Sequence, residues 1–368
     1  MTKNTLISNW INGKICSAES GDAFEKVNPH NGQLLYKVTA SSASDVKKAV
    51  EVAQSSFAVW SEFTAVHRGQ ILGNIVRLMR DRADDLAALV AIETGKSVKD
   101  AAGEVGGAIM QGDFFAGEGM RLYGRTLNSG MSQKSSYTVR QPHGVCGLIV
   151  PANTPIANIA WKVFPALICG NAVVLKASEN APKLALKIGE LATEAGLPDG
   201  VLNVLQGLGG IAGRALVEDP RVPLISFTGS TNVGKWIAKT GGDRLARVSL
   251  ELGGKNPFVV CEDADLERAV EWASLSAFSN AGQRCSSGSK ILVSETVYDE
   301  FVGRLTEKAE CLRMGVDEDC DLGPVVSQCQ RDNILLAITQ AVEEGGRIVT
   351  GGSAPSTGGL QNGFYIQP

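Results

Sequence analysis

A chain of 368 residues is longer than one hydrophobic core usually serves, so two domains are expected. Its apolar share of 44% and charged share of 20% are those of an ordinary globular protein. A net charge of −4, without a long basic run, argues against nucleic acid as the main partner.

The first residues lack a continuous apolar core and a small-residue cleavage site, so no secretory leader is expected. From there, Val46, Ala49, Val50, Ala53 and Phe57 recur at helical spacing, with Ser44 or Asp45 available as a cap. Further helical patterns run through Ile71, Leu72, Ile75, Leu78 and Met79, and over residues 86–92. Residues 124–144, rich in Ser, Thr and Gln, read as a two-stranded ribbon that leaves the body of the domain.

The most apolar stretch, residues 145–175, is broken by Pro151, Pro155 and Pro165 and contains Lys162. A spanning helix needs ~20 mostly apolar residues, so buried strands and turns are expected there. Short apolar runs at 145–150, 172–176, 201–205, 224–227 and 247–252 then alternate with helical segments at 182–195, 211–217 and 232–239. That order implies an open, mainly parallel sheet with helices on both faces. A second, similar unit holds a strand at 257–261, a helix at 265–278, the turn at Cys285, a strand at 290–293 and a helix at 297–312. The expected fold is therefore α/β, with two open, doubly wound, mainly parallel-sheet domains meeting at Gly253-Gly254. The first takes residues 1–123 and 145–252, the second residues 253–368, and the ribbon at 124–144 protrudes.

Two segments carry the strongest chemical signal: Leu250-Glu251-Leu252-Gly253-Gly254-Lys255 and Gly282-Gln283-Arg284-Cys285. An isolated cysteine is usually a small buried hydrophobe. Here Gly282 lets the chain turn, and Ser286, Ser287, Gly288 and Ser289 make a small polar turn around Cys285, which marks it as a candidate nucleophile. A cysteine protease would need a histidine beside the thiol, and His30, His67 and His143 stand in no supporting motif. The eight cysteines show no CxxC and no close Cys/His cluster, which predicts reduced thiols in the cytoplasm and no metal site. Glu251, inside an apolar strand and just before two glycines, is a candidate general base for water.

Asn153 lies in Val150-Pro151-Ala152-Asn153-Thr154-Pro155, at the carboxyl end of a predicted strand, where ligands of open α/β sheets bind. An ordinary turn asparagine is the plain alternative. A side-chain amide there can donate to a developing oxyanion, and losing such a donor typically costs ~3 kcal/mol. Two cofactor signals follow. Val173-Val174-Leu175-Lys176-Ala177-Ser178-Glu179 is a strand ending in a cation and an acid, suited to ribose hydroxyls. Phe227-Thr228-Gly229-Ser230-Thr231-Asn232-Val233-Gly234 is a strand, a glycine turn and a helix start, suited to a pyrophosphate. Gly207-Leu208-Gly209-Gly210-Ile211-Ala212 formally matches GxGxxA and competes for that role, but no acid ends a following strand about 20 positions on.

Taken together, these motifs resemble, in order and spacing, those of the aldehyde dehydrogenase superfamily, and the similarity covers nearly the whole chain. The resemblance implies that Cys285 is the nucleophile and Glu251 the general base. Asn153 and the backbone N–H of Cys285 would form the oxyanion hole, and Lys162 matches a lysine given a proton-relay role. Lys176 and Glu179 would hold the adenosine ribose and Ser230 meet the pyrophosphate. Ser178, Gly209, Phe227, Gly229, Leu252 and Gly253 would complete the cofactor site. The implied reaction is oxidation of an aldehyde to an acid through a Cys285 thiohemiacetal and thioester, with hydride passing to the nicotinamide. NAD is expected over NADP, because Glu179 would repel a 2′-phosphate. Glu251 also sets the chain apart from the coenzyme-A-acylating branch, which usually lacks that base.

Ala152 stands where the superfamily often has an aromatic residue. Thr154, Asn158, Trp161, Arg284 and Ser286 are expected along the aldehyde path, with Arg284 and Asn158 pointing to an acidic or polar aldehyde. The resemblance further implies a cytoplasmic homodimer or homotetramer joined through the ribbon, with no membrane partner and no metal. Residues 363–368 resemble the strand just before the superfamily's Glu-x-Phe-Gly-Pro motif, so about a quarter of a typical member is expected to lie beyond them. The domain at 253–368 would then be incomplete. Two alternatives stay open: an acylating enzyme that passes the acyl group to coenzyme A, and a non-catalytic member of the fold.

Overall fold

The computed structural model describes residues 5–368; residues 1–4, the start of the segment read for a leader, lie outside the described residues. Short runs of aliphatic residues between glycine turns build the main sheet. Val145–Ile149, Ala172–Lys176 and Leu202–Leu205 are buried at every position, as strands covered on both faces must be. The sheet runs in the order Arg247–Leu252, Leu224–Gly229, Val145–Ile149, Ala172–Lys176, Leu202–Leu205, and these five strands are parallel. An antiparallel hairpin of Asn9–Ile11 and Lys14–Cys16 completes it, a pair the short N-terminal pattern did not announce. Successive strands depart to opposite sides of Val145–Ile149, so a crevice opens beyond its carboxyl end.

Alternate residues of each strand feed two cores. Cys146, Leu148, Val173 and Leu175 pack with helices Ala65–Asp81, Ala83–Thr94, Val98–Glu118, Pro155–Ile168 and Pro182–Glu194. Val145, Ile149, Ala172 and Val174 pack with Ala43–Glu62, Arg214–Glu218 and Thr231–Asp243. The second unit holds the strands and helices read for it. Its sheet is the parallel pair Asn256–Val260 and Gly288–Val293, with Leu266–Phe278 and Tyr298–Glu310 closing a core of Val260, Val270, Ala273 and Phe301. Leu6–Ile7, Leu34–Thr39 and Ala23–Val27 form a separate three-stranded sheet. Thr126–Asn128 and Ser135–Tyr137 pair antiparallel as a mostly exposed ribbon. Among the described residues no helix is long and apolar enough to cross a membrane.

Several local expectations are corrected. The first helix is capped by Ser42, not by Ser44 or Asp45. Asp45 instead closes a capping box from the third helical position, accepting from the Ser42 N–H at 2.8 Å. Residues 145–175 are not strands and turns throughout, because Pro155–Ile168 is a helix. Pro155 sits at its start, where the missing N–H costs nothing, and Pro165 spares only a bond to the carbonyl of exposed Trp161. The N-terminus of this helix has no local side-chain cap; Glu104 Oε1 accepts from the N–H groups of Ile156 and Ala157 at 2.9 and 3.3 Å. Helix Pro182–Glu194 is treated the same way: the buried Glu93 carboxylate takes the N–H groups of Lys183 and Leu184, each at 3.0 Å. Both sheet helices are thus capped by carboxyl oxygens borrowed from a distant part of the chain, each such hydrogen bond being worth roughly 1 kcal/mol.

Candidate active site

The crevice beyond Val145–Ile149 continues as a groove of about 670 Å³. Asn153 and Gln283 line one end, and Lys176, Ser178, Glu179, Gly209 and Gly210 the other, with Phe227, Thr228 and Val233 between. That volume suits a bound small molecule.

At the far end, Lys176 Nζ is buried and pairs with Glu179 Oε1 at 3.0 Å. Burial pushes the Lys176 ammonium below its usual range, and Glu179 holds part of that shift back. Glu179 also accepts from the N–H of Gly209, so the competing glycine loop is tied to the acid at this end of the groove. Ser178 is buried and accepts from the Asn180 N–H. Phe227 lays its ring over Gly229, where an added Cβ would lie 2.4 Å from it. Ser230 is the N-cap of Thr231–Asp243, its Oγ accepting from the Val233 N–H and its own O–H without a partner among the described residues. Leu252 packs against Gly234 at the first turn of that helix, and Gly253 follows it exposed. Gly229, Ser230, Leu252 and Gly253 border the groove's neighbourhood without forming its walls.

At the near end, Asn153 Nδ2 donates to the carbonyl of Gln283 at 2.8 Å. In return, Asn280 Nδ2 donates to the Asn153 carbonyl at 2.9 Å. The two loops that sequence reading set side by side are therefore reciprocally tied. Asn153 Oδ1 faces Asn158 Nδ2 at 3.4 Å, which fixes which way the Asn153 amide points and leaves its second N–H without a partner among the described residues. The buried Asn158 directs its amide N–H groups to Thr154 and Asn153 inside the protein.

Cys285 follows a strained turn. Asn280, Ala281 and Gly282 are all left-handed, with φ of 54°, 54° and 70°. Only the glycine adopts that conformation freely, so the surrounding bonds hold the other two. Cys285 itself is exposed, and its carbonyl accepts from Asn256 Nδ2, which also reaches the Ser287 carbonyl at 3.2 Å. Among the described residues its backbone N–H and its thiol have no hydrogen-bond partner. Asn256 and Asn280 were not singled out in the sequence; nothing local distinguishes them.

Glu251 is exposed on the edge strand Arg247–Leu252, opposite Thr228. Val248, Leu250 and Leu252 turn into one core, so by alternation Arg247, Ser249 and Glu251 face the other way. That face carries Lys162, which is 7% exposed and donates to Ser226 Oγ at 2.8 Å. Burial pushes the Lys162 ammonium down to about 8, and the charge of Glu251 opposes the fall. Among the described residues no hydrogen bond joins Glu251 to Cys285, and no group of three or more His, Cys, Asp or Glu could hold a metal ion. The arrangement offers a free thiol beside two unpaired N–H donors, a carboxylate on the same face as a lysine whose ammonium is pushed down to about 8, and a groove ending in an acid.

Residues 15–368 match the profile described as the aldehyde dehydrogenase family. The chain belongs to the aldehyde dehydrogenase family. It is 37% identical to the α-ketoglutaric semialdehyde dehydrogenase of Bacillus subtilis, over 100% of this chain and 76% of that protein. It is 39% identical to the NADP-dependent succinate-semialdehyde dehydrogenase GabD of Escherichia coli, over 95% of this chain and 73% of that one. Among solved structures, PnpE from Pseudomonas sp. WBC-3 superposes with a TM-score of 0.96 at 37% identity, covering 99% of this chain and 75% of its own; PnpE has also been solved with nicotinamide adenine dinucleotide. The α/β fold read from strand order is thus the aldehyde dehydrogenase fold.

Proposed function

We propose that this aldehyde dehydrogenase converts an aldehyde to a carboxylic acid with NAD, through a thioester on Cys285. The observation that carries the reading is the 2.8 Å bond from Asn153 Nδ2 to the Gln283 carbonyl, which ties an amide donor to the turn of an unpartnered thiol. Attack of the Cys285 thiolate on the carbonyl carbon places negative charge on the aldehyde oxygen. The second N–H of Asn153 and the N–H of Cys285 are the donors left to receive it.

The groove fits a dinucleotide. Buried Lys176 leaves ammonium protons unpaired beside Glu179, and that acid at a strand end suits ribose hydroxyls. Bound there, NAD would supply the hydride acceptor that turns the thiohemiacetal into a thioester. Glu251 then takes a proton from water, whose oxygen attacks the thioester carbon and expels the Cys285 thiolate. Arg284 is exposed beside the nucleophile, and among the described residues its side chain has no partner. Two of the relatives above are named for aldehydes that carry a carboxylate. Both points support an acidic aldehyde as substrate.

The purified protein is expected to reduce NAD in preference to NADP with succinic semialdehyde, to prefer it to a neutral aldehyde of equal length, and to release free acid whether or not coenzyme A is added. An acyl-coenzyme A product would replace this reading with the acylating one.

Lys162 gives the reaction a pH signature. To take the proton from Glu251 it must be neutral, and with its ammonium pushed down to about 8 the neutral form grows as pH rises through that value. Thioester hydrolysis, followed by stopped flow, should therefore accelerate with pH on a limb centred near about 8. Lys162→Met should flatten that limb while leaving the acylation step intact. A limb that persists in the variant would remove Lys162 from the relay.

A further inference from the structure

Lys96 and Glu104 stand outside every motif read from the sequence, yet both converge on the turn that carries Asn153. Their side chains are 4% and 5% exposed and 2.6 Å apart. Lys96 Nζ also donates to the Asn153 carbonyl at 2.9 Å. The other Glu104 oxygen holds the first N–H groups of Pro155–Ile168, the helix that begins directly after the Asn153 turn. From the opposite side Asn280 donates to the same Asn153 carbonyl, and Asn158 orients the Asn153 amide.

We propose that the buried Lys96–Glu104 pair is a positioning device that sets the Asn153 amide for the oxyanion, so that Lys96 is a positioning residue for thiohemiacetal formation without touching substrate. Stability alone is a poor reason to bury such a pair, because apolar residues of the same shape often do as well or better. Glu104, on helix Val98–Glu118, instead holds Lys96 against one carbonyl, and the residue so fixed carries the donor. An amide displaced by about an ångström loses much of its value toward a charge that develops at one point.

The inference rests on the thioester reading, and the test keeps the two apart. Lys96→Met should lower the rate of the hydride-transfer step by roughly 10- to 100-fold, measured in single-turnover experiments on the full protein. Alkylation of Cys285 by iodoacetamide, which creates no oxyanion, should be unchanged. In an Asn153→Ala background the same substitution should cost less than about twofold, since the amide it positions is gone. Should Lys96→Met fold poorly because Glu104 is left unpaired, the neutral pair Lys96→Met with Glu104→Gln carries the same expectations, as Gln still accepts from the helix N–H groups. An equal loss in both backgrounds, or alkylation slowing in parallel, overturns the proposal and leaves the pair a structural support. A Cys285→Ala protein that still turns over would overturn the underlying chemistry instead, whatever Lys96 does.

Discussion

Replacing Cys285 by alanine should abolish aldehyde-dependent reduction of NAD, a loss of at least about 10⁴-fold in kcat. The thiol is the only group in the proposed scheme that forms a covalent bond to substrate, so no neighbour substitutes for it. The same change should be almost silent in stability. Cys285 is exposed and its sulfur makes no hydrogen bond among the described residues, so neither a cavity nor an orphaned partner is created. Thermal melting and NAD affinity measured beside the turnover assay make the expectation specific: activity lost, fold and cofactor site kept. Turnover that survives the substitution would contradict the thioester route.

Glu251→Gln should separate the two halves of the reaction. Gln cannot take a proton from water, so steady-state turnover should fall by roughly 10²- to 10⁴-fold. The first turnover should proceed, giving a burst of about one NADH per site before the slow phase. The edge strand keeps its backbone pairing to Leu224–Gly229, and the side chain is exposed, so folding should not obscure the result. A small free thiol added as an acyl acceptor should relieve the slow phase, since its sulfur takes the acyl group from Cys285 without activated water. A variant that loses the burst as well would assign Glu251 to a step before the thioester forms.

Much of this site was legible because its parts are local. The turns after Val145–Ile149 and Ala172–Lys176 each follow a short apolar run, and the residues at those strand ends fall into the crevice by topology alone. The Cys285 turn announced itself through Gly282 and the small residues after it. What stayed hidden was held at a distance. Glu104 looks like any helical glutamate until Pro155–Ile168 docks its N–H groups on it. Lys96, Asn256 and Asn280 carry no local mark, because their partners lie far away in the chain or in another loop.

The choice of glycines is set at a distance in the same way. Helix Val98–Glu118 contains several, which local propensity counts against a helix. Gly112 is there because the helices meet closely: a Cβ would lie 2.4 Å from Val76 and 3.0 Å from Phe164. Gly69 is a second case, with the Ala116 carbonyl 2.5 Å from where its Cβ would be. Tertiary contact set these choices, and a one-dimensional pattern cannot report it. Asn158 and Ser230 make local bonds as well: the Asn158 amide donates to Thr154, and Ser230 Oγ accepts from the Val233 N–H while its own O–H has no partner among the described residues.

Direct observation of the acyl-enzyme tests the central claim most sharply. Glu251→Gln protein mixed with succinic semialdehyde and NAD, quenched in acid during the slow phase and digested, should yield the Cys285 peptide carrying the succinyl group as a thioester. The adduct should be removable by hydroxylamine and absent when NAD is omitted. An NADH burst of full amplitude with an unmodified Cys285 peptide would contradict the account.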